Sequence, residues 1–106
     1  MDGYVAARSL AALGNPTRLR LFRLLVRAGR DGLNIGEIQA HLGVPASTLA
    51  HHVGSLVRAG LVIQQRRGRE VLCSAAYETM NEVLGYLTDE CCSGVKSDDA
   101  VSEPVA

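Results

Sequence analysis

Residues Ile35–Leu61, IGEIQAHLGVPASTLAHHVGSLVRAGL, decide the fold. Ile35, Ile38 and Leu42 recur on one side of a first helix, and Asn34 with Glu37 three residues later is the capping-box pattern that starts it. Gly43 supplies a left-handed turn and Pro45 prevents the helix from continuing. In a second helix, Leu49, Val53, Leu56 and Val57 fall at i, i+4, i+7 and i+8, which makes one apolar stripe. The opposite arc carries Ser47, Thr48, His51, Ser55 and Arg58. Small hydroxyls and an imidazole let a backbone approach a groove and still exchange hydrogen bonds with base edges; an ordinary solvated face is richer in Glu, Lys and Gln. Two helices about a tight turn with such a face read as a helix-turn-helix, for which duplex DNA is the first partner to consider.

Beyond Leu61 the chain alternates into a hairpin. Val62, Ile63 and Gln64 lead into Arg66-Arg67-Gly68-Arg69, and Glu70, Val71, Leu72 and Cys73 lead out, with Gly68 at the tip. Like charges crowded on a free-standing hairpin repel one another unless a polyanion lies against them. The hairpin therefore reads as a wing, with Arg66, Arg67 and Arg69 at its tip meeting phosphates or a minor groove. The predicted class is mainly α with a small β-hairpin, a winged helix-turn-helix.

The formal net charge of zero hides a division along the 106 residues. From Arg18 to Arg69 nine arginines face two acids, Asp31 and Glu37, whereas from Glu70 onward eight acids face Lys96 alone. The basic field therefore sits over the reading head, where it would govern encounter with DNA. Arg20, Arg23 and Arg27, at i, i+3 and i+7 of a preceding helix, read equally as part of this basic field or as a solvated face. The length suits one domain, expected over residues 1–92, followed by an acidic tail, 93–106, expected to be disordered. No apolar run approaches the ~20 residues of a membrane span, so a cytoplasmic location is expected. Ser-His-Asp sets, phosphate-cradling glycine loops and paired carboxylate motifs are absent from the sequence, which counts against an enzyme.

The remaining segments surround this head. A helix is predicted over about Val5–Leu13, and Asn15-Pro16 opens another that Gly29 ends after Ala28, with Leu21, Phe22, Leu25 and Val26 facing the core. Tyr77, Met80, Val83, Leu84, Leu87 and Cys91 mark a final helix with one apolar stripe. The first and last helices are more apolar than a small head can cover, and a homodimer is the expected place to bury them. Two-fold symmetry would then match a pseudo-palindromic operator.

The segments ALGNPTRLRLFRLL, STLAHHVGSLVRAGLV and the RRGR wing together resemble the ArsR/SmtB family of winged-helix transcriptional regulators, over about Ala11 to Leu87. The resemblance implies a dimeric repressor that leaves its operator when an inducer binds. It also implies base-reading positions at Ser47, Thr48 and His51, with Arg67 and Arg69 on the backbone or minor groove. A winged helix that binds protein instead of DNA is the competing class, and it would make those arginines dispensable.

Which inducer is sensed depends on thiols. Asn34 and Gly36 stand where some family members carry a cysteine pair, and no histidine follows His52 to build the last-helix zinc site of others. His51 and His52 are adjacent, so their side chains diverge by about 100° on a helix and a shared metal is disfavoured. What remains is Cys91-Cys92, similar to the vicinal pair of arsenic-responsive members; Asp98 stands where some of those carry a third cysteine. Thiolates select soft centres. Inorganic arsenite accepts three thiolates and a methylated trivalent arsenical only two, so arsenite, antimonite and methylarsenite are all candidate inducers and the pair by itself suits the methylated species. No constitutive cofactor is expected. Two alternatives stay open: Cys91 could simply pack on the apolar stripe, or the thiols could sense oxidants or persulfides, against which the neighbouring acids Asp89 and Glu90 count. Cys73, alternating with Val71 on the wing, is expected in the core, with a lesser reading as a third sulfur.

Overall fold

The computed structural model describes residues 1–95, so most of the expected tail at 93–106 lies outside the described residues. The element order is α1 (Gly3–Leu13), α2 (Pro16–Ala28), β1 (Leu33–Asn34), α3 (Ile35–Leu42), α4 (Ala46–Arg58), β2 (Val62–Arg67), β3 (Glu70–Ala75) and α5 (Tyr77–Thr88). This is the winged helix-turn-helix that the apolar spacing predicts.

Local chemistry explains most boundaries. Asn15 Oδ1 accepts the N–H groups of Thr17 and Arg18, and Pro16 occupies the first helical position, where its missing donor costs nothing. The capping box of α3 closes in both directions: Glu37 N–H donates to Asn34 Oδ1 at 2.8 Å and Asn34 N–H to Glu37 Oε1 at 2.9 Å. Gly43 ends α3 at φ 68° and donates its N–H to the Gln39 carbonyl. The first helix begins two residues ahead of the expected Val5, because Asp2 Oδ1 accepts the Val5 N–H and caps it.

One core joins these elements. Leu21 and Leu25 of α2, Ile38 of α3, Leu49 and Leu56 of α4, then Leu61 and Cys73, are fully buried, with Phe22, Leu24 and Val53 nearly so. Burial of each such aliphatic side chain contributes about 1.5–3 kcal/mol. Among the described residues, no helix is long and apolar enough to cross a membrane.

The structure alters two expectations. The hairpin is not free-standing: β1 pairs antiparallel with β3, placing Leu33 opposite Cys73 and Asn34 opposite Leu72, so the sheet has three strands in the order β1-β3-β2. A two-residue strand is too short to show an alternation in sequence. The last helix stops at Thr88 and does not carry Cys91 on its stripe. Thr88 Oγ1 donates back to the carbonyls of Leu84 and Gly85, and Asp89 then turns extended. Of the predicted stripe Val83 is buried, while Leu84 and Leu87 remain more than half exposed.

Strand β1 is reached through Gly32, at φ 74°, where a Cβ would collide with the backbone carbonyl of Cys73. Gly32→Ala is therefore expected to destabilise the domain by about 2 kcal/mol or more through left-handed strain and that clash. At about 4–8 °C per kcal/mol for a domain of this size, a thermal melt should show Tm lowered by roughly 10 °C.

Candidate nucleic-acid interface and sulfur pair

Helix α4 turns its polar arc outward because its other face is committed to the core through Leu49, Val53 and Leu56. Ser47, Thr48 and His51 are exposed on that arc. Pro45 precedes the helix and no side chain caps it, so the first N–H groups of α4 are left without a side-chain acceptor. Such an end favours a phosphate. Ser55 is half-buried; its hydroxyl donates to the His51 carbonyl at 3.1 Å and accepts from Arg58 at 3.4 Å. It therefore holds Arg58 against the helix as well as facing the polar arc.

The two histidines part as the helix geometry requires. Their ring centroids lie 5.8 Å apart with planes tilted by 58°. His51 is exposed, whereas His52 is half-buried and its Nδ1 is fully covered with no hydrogen-bond partner among the described residues. Burial first, then the charges of Arg18 and His51, hold the His52 imidazole below its ordinary value.

At the wing, β2 and β3 pair from Val62 opposite Ala75 to Arg67 opposite Glu70, leaving Gly68 and Arg69 as a two-residue loop. Gly68 has φ 59° at the first loop position, where a type II′ turn needs glycine. Arg67 faces Glu70 across the strands, yet Glu70 Oε1 instead accepts from Asn34 Nδ2 at 2.8 Å. Arg66, Arg67 and Arg69 are exposed and, among the described residues, form no ion pair. Wing and α4 thus present free cations and hydroxyls from a scaffold locked by β1.

Cys91 and Cys92 lie just past α5 on an exposed double turn. Cys91 N–H donates to the Thr88 carbonyl and Ser93 N–H to the Glu90 carbonyl, both at 3.0 Å. Glu90 and Cys92 take φ values of 59° and 63°, left-handed conformations uncommon for residues with a side chain. The turn brings the two Sγ atoms to 3.5 Å. The sequence puts the pair at the fraying C-terminal end of the last helix, where both sulfurs can turn toward one centre; the helix in fact ends at Thr88 and the turn beyond it holds them close. Cys73 is fully buried in the sheet, where burial pushes its thiol up and Gln64 Nε2 contacts its sulfur. No group of three His, Cys, Asp or Glu among the described residues could enclose a metal ion, so Cys73 does not complete a three-sulfur set within one chain.

This arrangement has relatives among known proteins. A family model described as a helix-turn-helix domain matches residues 13–65. The transcriptional regulator CmtR of Mycobacterium tuberculosis is 35% identical over 76% of this chain and 66% of its own length. A protein named as an arsenical resistance operon repressor, ArsR2 of Halobacterium salinarum, is 36% identical over 56% of this chain and 49% of its own length. The crystal structure of NolR from Sinorhizobium fredii superposes with a TM-score of 0.65 at 26% identity, covering 83% of this chain and 85% of that one. The chain belongs to the ArsR family of winged helix-turn-helix transcriptional regulators, a class of DNA-binding regulators and not of enzymes.

Two measurements probe this surface. Replacing Arg67 and Arg69 together with Ala is expected to weaken binding to the duplex upstream of the protein's own coding region and to reduce its log-log salt slope by about 1 for each phosphate left without its arginine, read by mobility shift at several salt concentrations. His52 binds its proton less readily folded than unfolded, so below an unfolded value of about 6.5 the unfolded chain holds more protons and stability falls as the pH drops toward the folded value. Urea melts at pH 7 and pH 5 should show that loss, and His52→Phe should reduce it.

Proposed function

We propose that this chain is a homodimeric transcriptional repressor released from a pseudo-palindromic operator when Cys91 and Cys92 capture a trivalent arsenical, with methylarsenite preferred over arsenite and antimonite. Ser47, Thr48, His51 and Ser55 read bases from α4, while Arg67 and Arg69 hold phosphates or the minor groove. The observation that carries the sensing half is the 3.5 Å separation of two exposed sulfurs on a left-handed turn. Two sulfur arms of about 2.3 Å meeting one tetrahedral centre span about 3.8 Å, and the narrower angle of a pyramidal arsenic shortens that span. Left-handed strain of about 1–3 kcal/mol at each of two residues is the kind of local cost retained where a site is held ready.

Capture exchanges ligands without redox change. Each thiol gives its proton to a hydroxide leaving arsenic, so methylarsenite and two thiols yield a dithiolate arsenical and two waters. The methyl group fills the third valence, which neither Asp98 nor the buried Cys73 can supply as sulfur. A redox reading is disfavoured by geometry: neighbouring Cα atoms across a trans peptide lie about 3.8 Å apart, short of the ~4.4–6.8 Å usual for a disulfide.

Dimerisation is supported by the apolar side chains that α1 and α5 leave exposed, Tyr4, Leu10, Leu84, Tyr86 and Leu87. Those two helices touch each other, so one continuous face is available to a second copy. The base of α5 is tied to the head: Tyr77 donates its hydroxyl to the Val26 carbonyl at 2.9 Å, and Arg30 stacks over its ring at 5.0 Å while pairing with Glu78 at 3.2 Å. Reordering the chain just beyond α5 thereby bears on the subunit contact and on the spacing of the reading heads. Release needs only a few kcal/mol of coupling.

Mobility shifts with methylarsenite and arsenite test the reading. The parent is expected to let go of its operator, the Cys91→Ser/Cys92→Ser variant to stay bound, and X-ray absorption to count two sulfur neighbours per arsenic. Release of that serine variant by arsenicals, or release of the parent by peroxide or polysulfide but not by arsenicals, would overturn the assignment.

A further inference from the structure

A basic cleft lies between α2 and the last turn of α3, with a volume of about 230 Å³, lined by Arg20, Arg23, Leu24, Arg27, His41 and Leu42. The three arginines sit at i, i+3 and i+7, within an arc of about 60° and spread over about 10 Å of helix. They are exposed, and among the described residues none makes an ion pair or a side-chain hydrogen bond; the salt bridge found there is Arg30–Glu78. Like charges at these spacings destabilise an isolated helix by a few tenths of a kcal/mol each, so the cluster works against α2 unless an anion joins it. Among the described residues no carboxylate lines the cleft, and Leu24 and Leu42 complete its lining.

We propose that this cleft is a binding site for a phosphate-class oxyanion, gripped by the guanidinium forks of Arg20, Arg23 and Arg27 and met from the α3 wall by His41. The donors favour phosphate over carboxylate. A carboxylate occupies one fork, whereas a tetrahedral phosphate or a diphosphate offers oxygens to several forks at once. The bound group is either a free anion or a phosphate of the DNA backbone. His41 lies two residues before Gly43, at the turn that leads into the reading helix, so an anion seated here braces α3 against α2 next to the reading head. The site is independent of the sulfur pair.

The test uses the full chain and two arms. Pyrophosphate and inorganic phosphate are titrated against DNA-free protein by calorimetry at constant ionic strength, and the salt slope of DNA binding is measured separately. For a free anion, pyrophosphate binds the parent and at least tenfold more weakly to Arg23→Gln/Arg27→Gln, with the DNA salt slope unchanged. For a backbone phosphate, the same variant lowers the slope by about 0.9, the contribution of one duplex phosphate, while the wing arginines remain in place. Arg23→Lys/Arg27→Lys, which keeps the charge and loses the forks, should fall between parent and Gln variant in whichever arm responds. Circular dichroism verifies folding, and the single Gln variants stand in if the double variant is unfolded. A folded Gln variant that binds pyrophosphate like the parent and keeps the parental salt slope overturns the proposal.

Discussion

The apolar contact among Leu21 and Leu25 of α2, Ile38 of α3, and Leu49 and Leu56 of α4 sets the orientation of everything that faces outward. Removing one such side chain to Ala costs about 2–5 kcal/mol, a large share of a small domain's total stability. The contact also fixes which arc of α4 points away from the protein. The polar arc faces outward because the apolar one is closed.

Around that centre the molecule separates its chemistry by charge and by distance along the chain. Cations gather on α2, α4 and the wing, while most acids follow β3. Glu70, the acid nearest the wing tip, is drawn off by Asn34, and Glu78 by Arg30. The basic groups are thereby left for an external polyanion. The sulfur pair sits at the other end of α5, beside the acids Asp89 and Glu90.

Helix α5 links these regions mechanically. Its first residue hydrogen-bonds the end of α2, its middle buries Val83, and its exposed Leu84 and Leu87 continue the apolar face begun by α1. In the proposed dimer, a helix held at one end, with a left-handed turn at the other and an unburied face between them, would pass a local change into the subunit contact.

The helices of the head and their caps were legible in sequence because their causes are local: Asn34 with Glu37, Asn15 with Pro16, Gly43 at the turn, and apolar residues at helical spacing. Candidate reading residues were legible for the same reason, since a helix's polar arc follows from its buried one. Three things required the tertiary structure. Strand β1 exists because Leu33 and Asn34 meet β3, a contact between residues about forty apart that two residues cannot signal in advance. The end of α5 at Thr88 and the 3.5 Å approach of Cys91 and Cys92 go beyond the fraying helix end that the sequence suggests, because they rest on left-handed conformations that no propensity favours for Glu or Cys. The cleft at Arg20, Arg23 and Arg27 needed α3 to supply its second wall; one helix alone shows only a charged face. Short-range hydrogen bonding and periodicity are written in neighbouring residues, whereas enclosure depends on which distant surfaces the core brings together.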